Sequence, residues 1–138
     1  MPSMTADRVL REIRQSVEAI RNDRPQQFPE AASPGDYARQ GDLYITLLAS
    51  VPDGWVETPP PPQLVPGTSQ GSRHCLDSLD GVRAFRAPAP TPLQGPVLEL
   101  AVERTITHPE HGHWVLPPGR YAITYQRDLA DEERRVVD

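Results

Sequence analysis

The sequence predicts a mainly β protein: a small antiparallel β-barrel or sandwich with an amphipathic helix at its N-terminus. Three observations support this class. Between Gly41 and Tyr125, about six or seven short segments are rich in strand-forming residues. Turn-forming pairs such as Pro66-Gly67 and Asp80-Gly81 separate these segments, and no helical pattern intervenes. The 17 prolines and 9 glycines indicate long irregular connections between short ordered elements.

An amphipathic helix is predicted over residues 1–24, because apolar side chains recur there at three- and four-residue steps between charged ones. Thr5 is a suitable N-cap, and Pro25 ends the helix because it lacks a backbone donor. The spacing also fits two heptads of a coiled coil. The helix therefore either packs on its own domain or binds a partner, which is another protein or a second copy. The candidate partner-binding residues are Leu10, Ile13, Val17 and Ile20.

The rest of the chain divides into three parts. Residues 25–39 contain three prolines and few large apolar residues, and they are predicted to be a linker. Residues 40–128 form the β-barrel or sandwich domain, and residues 129–138 form a charged tail. The strands predicted in the domain comprise residues 42–48, 63–65, 73–76, 82–86, 97–107, 114–116 and 121–125.

The composition argues against several classes of protein. A net charge of −5, with arginine but no lysine, does not favour a general nucleic-acid binder, whose affinity comes from clustered cations. No apolar run approaches the roughly 20 residues that cross a bilayer. Cys75 is the only cysteine and cannot form an internal disulfide, and the N-terminus has no apolar signal core. We therefore expect a cytoplasmic protein.

The segment between Thr107 and Trp114 is the richest in groups that bind metals or move protons near neutral pH. In extended geometry His111 and His113 share a side, and Gly112 leaves room for both rings. Two imidazoles with Glu110 or His74 would give three ligands around zinc, iron or manganese, with one position open. The candidate metal ligands are His74, His108, Glu110, His111 and His113.

The arrangement resembles a cupin, in which histidines and a carboxylate on neighbouring strands hold a metal. Cupins pair a His-x-His motif with a following Glu, and no Glu follows His113 closely here. The alternative is a polar hairpin end, in which His108 precedes Pro109, Glu110 and His111 are solvated, and His113 packs beside Trp114. No catalytic residue and no organic cofactor is predicted.

Five short motifs also characterise the chain: QGD at 40–42, GSRH at 71–74, HPEHG at 108–112, LPPGRY at 116–121 and QRD at 126–128. Together they resemble a family of small, uncharacterised bacterial and phage β-rich proteins, over roughly residues 40–138. The resemblance implies a β-rich fold for that part and no particular activity. Members of the family often carry a second histidine two positions before the one that matches His74. This chain has Ser72 there, which reduces the ligand set that the resemblance implies.

Two functions are consistent with these observations. The first is a non-enzymatic accessory or protein-interaction domain, which presents loops on a β scaffold and docks through its N-terminal helix. The second is a metal-dependent, cupin-like enzyme or a metal-stabilised domain that uses the histidine and glutamate cluster. Both require a compact sheet that brings His74 close to residues 108–111.

Overall fold

The structure is a computed structural model, and it describes residues 26–29 and 31–126. Within these residues the chain forms ten strands and a short 3₁₀ turn, Gln70–Ser72. The strands are β1 Gln26–Gln27, β2 Tyr37–Gln40, β3 Leu43–Leu48, β4 Val56–Thr58, β5 Cys75–Leu76, β6 Val82–Arg86, β7 Gln94–Leu100, β8 Arg104–Thr107, β9 Trp114–Leu116 and β10 Gly119–Tyr125. The predicted mainly β class is confirmed.

The strands form two open sheets. One has six antiparallel strands in the order β2-β3-β10-β7-β6-β4. The other has four strands in the order β1-β9-β8-β5, in which β1 runs parallel to β9 and the other pairs are antiparallel. The expectation of a closed barrel is wrong. The two edge strands of the larger sheet, β2 and β4, do not pair with each other, and neither do β1 and β5, the edge strands of the smaller sheet.

One hydrophobic core lies between the inward faces of the two sheets. Alternate residues of the larger sheet, such as Leu43, Ile45 and Leu98, are fully buried, and Ile106 and Leu116 of the smaller sheet join them. Burial of side chains of this size stabilises the fold by roughly 1.5–3 kcal/mol each. Because both sheets contribute to one core, the side chains that cross between them also fix the positions of the loops at the sheet ends.

The predicted linker, residues 25–39, contributes to both sheets. β1 pairs with β9, and β2 pairs with β3 through the register Ala38↔Ile45. Phe28, between them, is only 3% exposed, and its ring meets the Tyr121 ring at a centroid distance of 5.5 Å. The segment thus supplies an edge strand to each sheet and an aromatic core residue.

Two of the predicted parts lie outside the described residues. These are the helix over residues 1–24, with Leu10, Ile13, Val17 and Ile20, and the charged tail over residues 129–138. Both stay predictions. Within residues 26–29 and 31–126, no helix is long and apolar enough to cross a membrane.

The predicted single strand over residues 97–107 is in fact two strands. β7 ends at Leu100 in the six-stranded sheet, and β8 begins at Arg104 in the four-stranded sheet. Ala101 donates its N–H to the Gly81 carbonyl at the crossing, and Val102 is 43% exposed. The alternation of apolar and polar residues continues through this crossing, which explains why the sequence predicts one strand.

Candidate functional site

The centre of the candidate site is Gln40, the last residue of β2, whose side chain is fully buried. Its Nε2 group donates to the carbonyls of Ile106, at 2.9 Å, and Gly112, at 2.6 Å. These two acceptors fix the orientation of the amide, so that Oε1 points to His74 Nδ1 at 2.8 Å. One side chain therefore joins the β2–β3 hairpin to β8, to the histidine turn and to His74.

His74 lies between the 3₁₀ turn and β5 and is 1% exposed. Because Gln40 Oε1 is an acceptor, Nδ1 of His74 carries the proton and Nε2 keeps its lone pair. Nε2 is buried and has no hydrogen-bond partner. Burial, followed by the nearby His108 and His111 rings, lowers the pKa of His74 to about 3. The ring is therefore neutral at physiological pH.

His108, also 1% exposed, organises the turn that follows β8. Its Nδ1 accepts the backbone N–H groups of Glu110, at 3.0 Å, and His111, at 3.2 Å. Its Nε2 lies 3.2 Å from the Gly71 carbonyl and donates to it, since Nδ1 is already an acceptor. Burial lowers the pKa of His108. Both ring nitrogens are thus used in holding backbone groups of two loops.

Three imidazole rings lie in sequence across the site. The His74 and His108 centroids are 4.3 Å apart, and those of His108 and His111 are 4.5 Å apart. His111, which is exposed, covers the hairpin at Gly41, where φ is +58°. A Cβ at Gly41 would lie 2.5 Å from His111 Cδ2. A glycine is therefore needed there both for the backbone conformation and for the approach of the ring.

The structure brings together three of the five predicted metal ligands: His74, His108 and His111. Glu110 contributes its backbone N–H to the turn, and its side chain is exposed. His113 uses Nδ1 to accept the backbone N–H of His108 at 3.2 Å. Among residues 26–29 and 31–126, no three His, Cys, Asp or Glu side chains are arranged to hold a metal ion. In addition, both ring nitrogens of His108 and Nδ1 of His113 already bind protein groups.

A second feature lies at the other end of β2. Tyr37, its first residue, is 66% exposed, and its ring meets the Tyr44 ring edge-on at 6.0 Å. The Arg39 guanidinium lies 5.6 Å from the centre of the Tyr44 ring. Arg39 is held by hydrogen bonds to the Gly41 carbonyl, at 2.7 Å, and to Gln126 Oε1, at 2.9 Å. These side chains form an aromatic and cationic patch along a sheet edge.

Beside this patch, a groove of about 480 Å³ opens between the edge strands β1 and β2. Aromatic side chains and residues of β1 and β2 form its walls. The residues that line it are Gln27, Phe28, Pro29, Gly35, Asp36, Tyr37, Ala38 and Trp114. The sequence marks Gln40 only as part of the QGD motif at 40–42 and does not single out Tyr37 or Arg39 as site residues. The available signal is the alternation from Tyr37 to Gln40, in which Ala38 and Gln40 point inward.

A family model for a domain of unknown function, DUF8820, matches residues 39–126, which is more than half of the chain. This range includes Gln40 and all four histidines, whereas Tyr37 and β1 precede it. No curated protein and no solved structure is similar to the chain.

Proposed function

This chain belongs to the DUF8820 family, and we propose that it is a non-enzymatic protein-interaction domain that takes an extended segment of a partner protein as an additional strand along β2. The observation that carries the proposal is the outer edge of β2: within residues 26–29 and 31–126 no strand pairs with it, and its first residue is an exposed tyrosine beside a groove. Edge strands of this kind bind extended segments through main-chain hydrogen bonds, and adjacent pockets select side chains.

The backbone of β2 offers hydrogen-bonding groups on its free side. Leu47 donates its N–H to the Asp36 carbonyl at 2.9 Å, and the register continues through Ala38↔Ile45 and Gln40↔Leu43. In an antiparallel pair, alternate residues direct both backbone groups toward the partner strand. Asp36, Ala38 and Gln40 therefore face β3. Tyr37 and Arg39 direct their N–H and C=O groups away from the sheet, where an added strand would lie.

The other edges are less suited to an added strand. β4, at the opposite edge of the same sheet, leads directly into Pro59-Pro60-Pro61-Pro62, which has no backbone donors. In the smaller sheet, the edge strands β1 and β5 have two residues each. β2 has four residues and contains no proline. It is the longest of these four edges.

The side chains around β2 are of the types that dominate protein–protein binding. Tyrosine, tryptophan and arginine are enriched among residues whose loss weakens complexes most. Tyr37 and Arg39 stand on the outer face, and Trp114 lines the groove on the other side of the strand. An added strand would place its alternate side chains against the outer patch and into this groove.

The histidine cluster supports the proposal through its effect on β2. Gln40 binds His74, Ile106 and Gly112, so the end of the edge strand is tied to β8 and to two connections of the smaller sheet. A strand held in this way loses little conformational entropy when a partner binds. We place the protein in the cytoplasm of a bacterial or phage system. The free cysteine, Cys75, suits a reducing compartment.

The proposal is tested with a displayed library of random peptides, each about ten residues long, selected on the full chain. We expect the selected peptides to protect the amides of Tyr37 and Arg39 from hydrogen exchange. Tyr37→Pro removes one outward donor and should weaken binding at least about tenfold. Tyr37→Val also removes the ring but keeps the donor, so the difference in affinity between the two variants isolates the main-chain hydrogen bond. Peptides that leave both amides unprotected, or that bind Tyr37→Pro with unchanged affinity, would refute the proposal.

A second candidate function is the metal-dependent, cupin-like enzyme or metal-stabilised domain. The buried and unpartnered Nε2 of His74, next to His108 and His111, favours it. Zinc, iron or manganese would then have to recruit nitrogens that now bind protein groups. Elemental analysis of the purified chain tests this function. Stoichiometric metal that His111→Ala removes would support it, and metal-free protein whose melting is unchanged by a chelator would refute it.

A further inference from the structure

We infer that the strand partner is a second copy of this chain, joined to the first by antiparallel pairing of the two β2 strands about a two-fold axis at Ala38. The inference rests on the proposed function, because it identifies the partner of the same edge. A two-fold interface uses one surface twice, so the surface must be complementary to itself. β2 meets this requirement in its backbone and in its side chains.

The backbone is complementary because its outward groups lie symmetrically about Ala38. Tyr37 and Arg39 direct N–H and C=O outward, and Ala38 does not. A two-fold axis at Ala38 places Tyr37 opposite the partner's Arg39 and Arg39 opposite the partner's Tyr37. Each pair exchanges an N–H and a C=O in both directions. The outward groups of both residues are then satisfied in each copy, and the two six-stranded sheets become one continuous sheet.

The side chains on the outer face can form cation–π pairs between the two copies. In this register, Arg39 lies directly across from the partner's Tyr37, at the close separation of opposed residues on neighbouring strands. Arginine over an aromatic face is an attractive pair. The guanidinium is already held in place by Gly41, Gln126 and the Tyr44 ring. The two arginines occupy diagonal positions, each next to a tyrosine, and do not oppose one another.

On the inner face of β2, the residue at the two-fold axis is small enough for the two strands to approach each other. The residue there is Ala38, which is 6% exposed and has the smallest side chain that a non-glycine strand residue can have. Two copies meet at Ala38 in a pair that exchanges no hydrogen bonds, for which the Cα atoms come to about 4.5 Å. The two grooves lined by Phe28 and Trp114, one in each copy, would then lie side by side along the dimer interface.

The first test is the concentration dependence of the mass of the full chain in sedimentation equilibrium. Four-residue strands form a small interface, so we expect a dimer with a dissociation constant weaker than about 1 μM. Tyr37→Pro and Arg39→Pro each remove one outward donor per copy and should weaken the dimer at least about tenfold. Val56→Ala, which trims an exposed apolar residue at the opposite edge, is the matched control and should leave it unchanged.

The second test examines the register by oxidation. In a Cys75→Ala background, Ala38→Cys should form a disulfide between two copies, because opposed residues that exchange no hydrogen bonds have a suitable Cα separation. Tyr37→Cys is more exposed but offset from its symmetry mate, and it should link less. A covalent dimer that forms more readily from Tyr37→Cys than from Ala38→Cys would overturn the register and with it the inference.

The outcomes separate this inference from the proposed function. A chain that stays monomeric at about 1 mM, but whose Tyr37 and Arg39 amides are protected by selected peptides, would refute the second copy and leave the peptide-binding edge. Protection of both amides in a monomer without peptide would show that another segment of the same chain covers the edge, and it would refute the inference. A dimer that Tyr37→Pro and Arg39→Pro do not weaken would refute it as well. A dimer lost in both variants, with Val56→Ala unaffected, supports it.

Discussion

Gln40 Oε1 lies 2.8 Å from His74 Nδ1, and this bond links the end of an edge strand to a buried imidazole 34 residues further along the chain. The same amide donates to two carbonyls on the far side of β2. All three partners are buried or belong to the turn that His108 organises. The position of the edge strand and the orientation of the His74 ring therefore depend on one another.

We expect Gln40→Leu to lower the free energy of unfolding by about 2–4 kcal/mol. The substitution keeps the side chain's approximate size but leaves the carbonyls of Ile106 and Gly112, together with Nδ1 of His74, without their partner. Urea denaturation followed by fluorescence of the two tryptophans measures the change. Gln27→Leu, on the exposed edge strand β1, is the control and should stay within about 0.5 kcal/mol. Equal effects of the two substitutions would contradict a special role for Gln40.

At His108 we expect asparagine to be tolerated better than leucine. The Nδ1 atom accepts two backbone N–H groups of the following turn, and the Oδ1 atom of asparagine reaches the same place. His108→Leu leaves both donors and the Gly71 carbonyl unpaired and should cost about 2–4 kcal/mol, whereas His108→Asn should cost roughly half as much. Chemical denaturation of both variants decides the point. Equal losses would show that the ring, and not its acceptor atom, holds the turn.

The sequence predicts several strands well where strand-forming residues are dense and turns are strongly marked. Residues 82–86 and 114–116 form strands with the predicted bounds, and β3 differs from its prediction by one residue. Each is bounded by glycine, proline or a charged turn. The sequence does not reveal β1 and β2, because two- and four-residue strands within a proline-containing segment carry too little pattern.

The candidate site is likewise only partly predictable. The expectation that His74 meets His108 and His111 agrees with the ring contacts, since antiparallel pairing of β5 with β8 brings residues 75 and 107 opposite each other. The hydrogen bonds that occupy the ring nitrogens could not be foreseen. They depend on where the Gly71 and Gly112 carbonyls point, and that follows from loop conformation.

Gly41→Ala should destabilise the hairpin through a contact with the His111 ring that has no counterpart in Gly35→Ala. Both glycines have positive φ, at +58° and +96°, so both substitutions also carry a backbone cost of at least roughly 1 kcal/mol, which is larger at Gly35 because its φ lies outside the left-handed helical region. A Cβ at Gly35 meets open space, whereas one at Gly41 meets the His111 ring. The extra cost should disappear when Gly41→Ala is combined with His111→Ala. Thermal unfolding of Gly41→Ala, of His111→Ala and of the double variant measures this extra cost. An extra cost that persists without the ring would place its origin in the backbone.

We expect the free energy of unfolding to fall as the pH drops from about 6.5 to about 5, because His74 stays neutral in the folded chain. An unfolded histidine takes up a proton near pH 6.5, whereas burial lowers the pKa of the folded His74 to about 3. Throughout this interval the unfolded state binds the extra proton and is stabilised, by up to about 1.4 kcal/mol per pH unit. Above pH 6.5 both states are neutral, and the contribution no longer changes with pH.

His74→Gln isolates this contribution. Urea unfolding at about pH 7, 6 and 5 should show a shallower loss of stability for the variant than for the unaltered chain. In the variant, the free energy of unfolding should still fall somewhat as the pH drops, because burial also lowers the pKa of His108. The interval lies above the range in which Glu57 takes up a proton, since Arg83 lowers the pKa of that carboxylate. His111→Gln removes only a smaller contribution to the lowered pKa of His74, after burial, and should keep most of the pH dependence. A slope in His74→Gln equal to that of the unaltered chain would mean that the buried ring does not set the acid sensitivity of the fold.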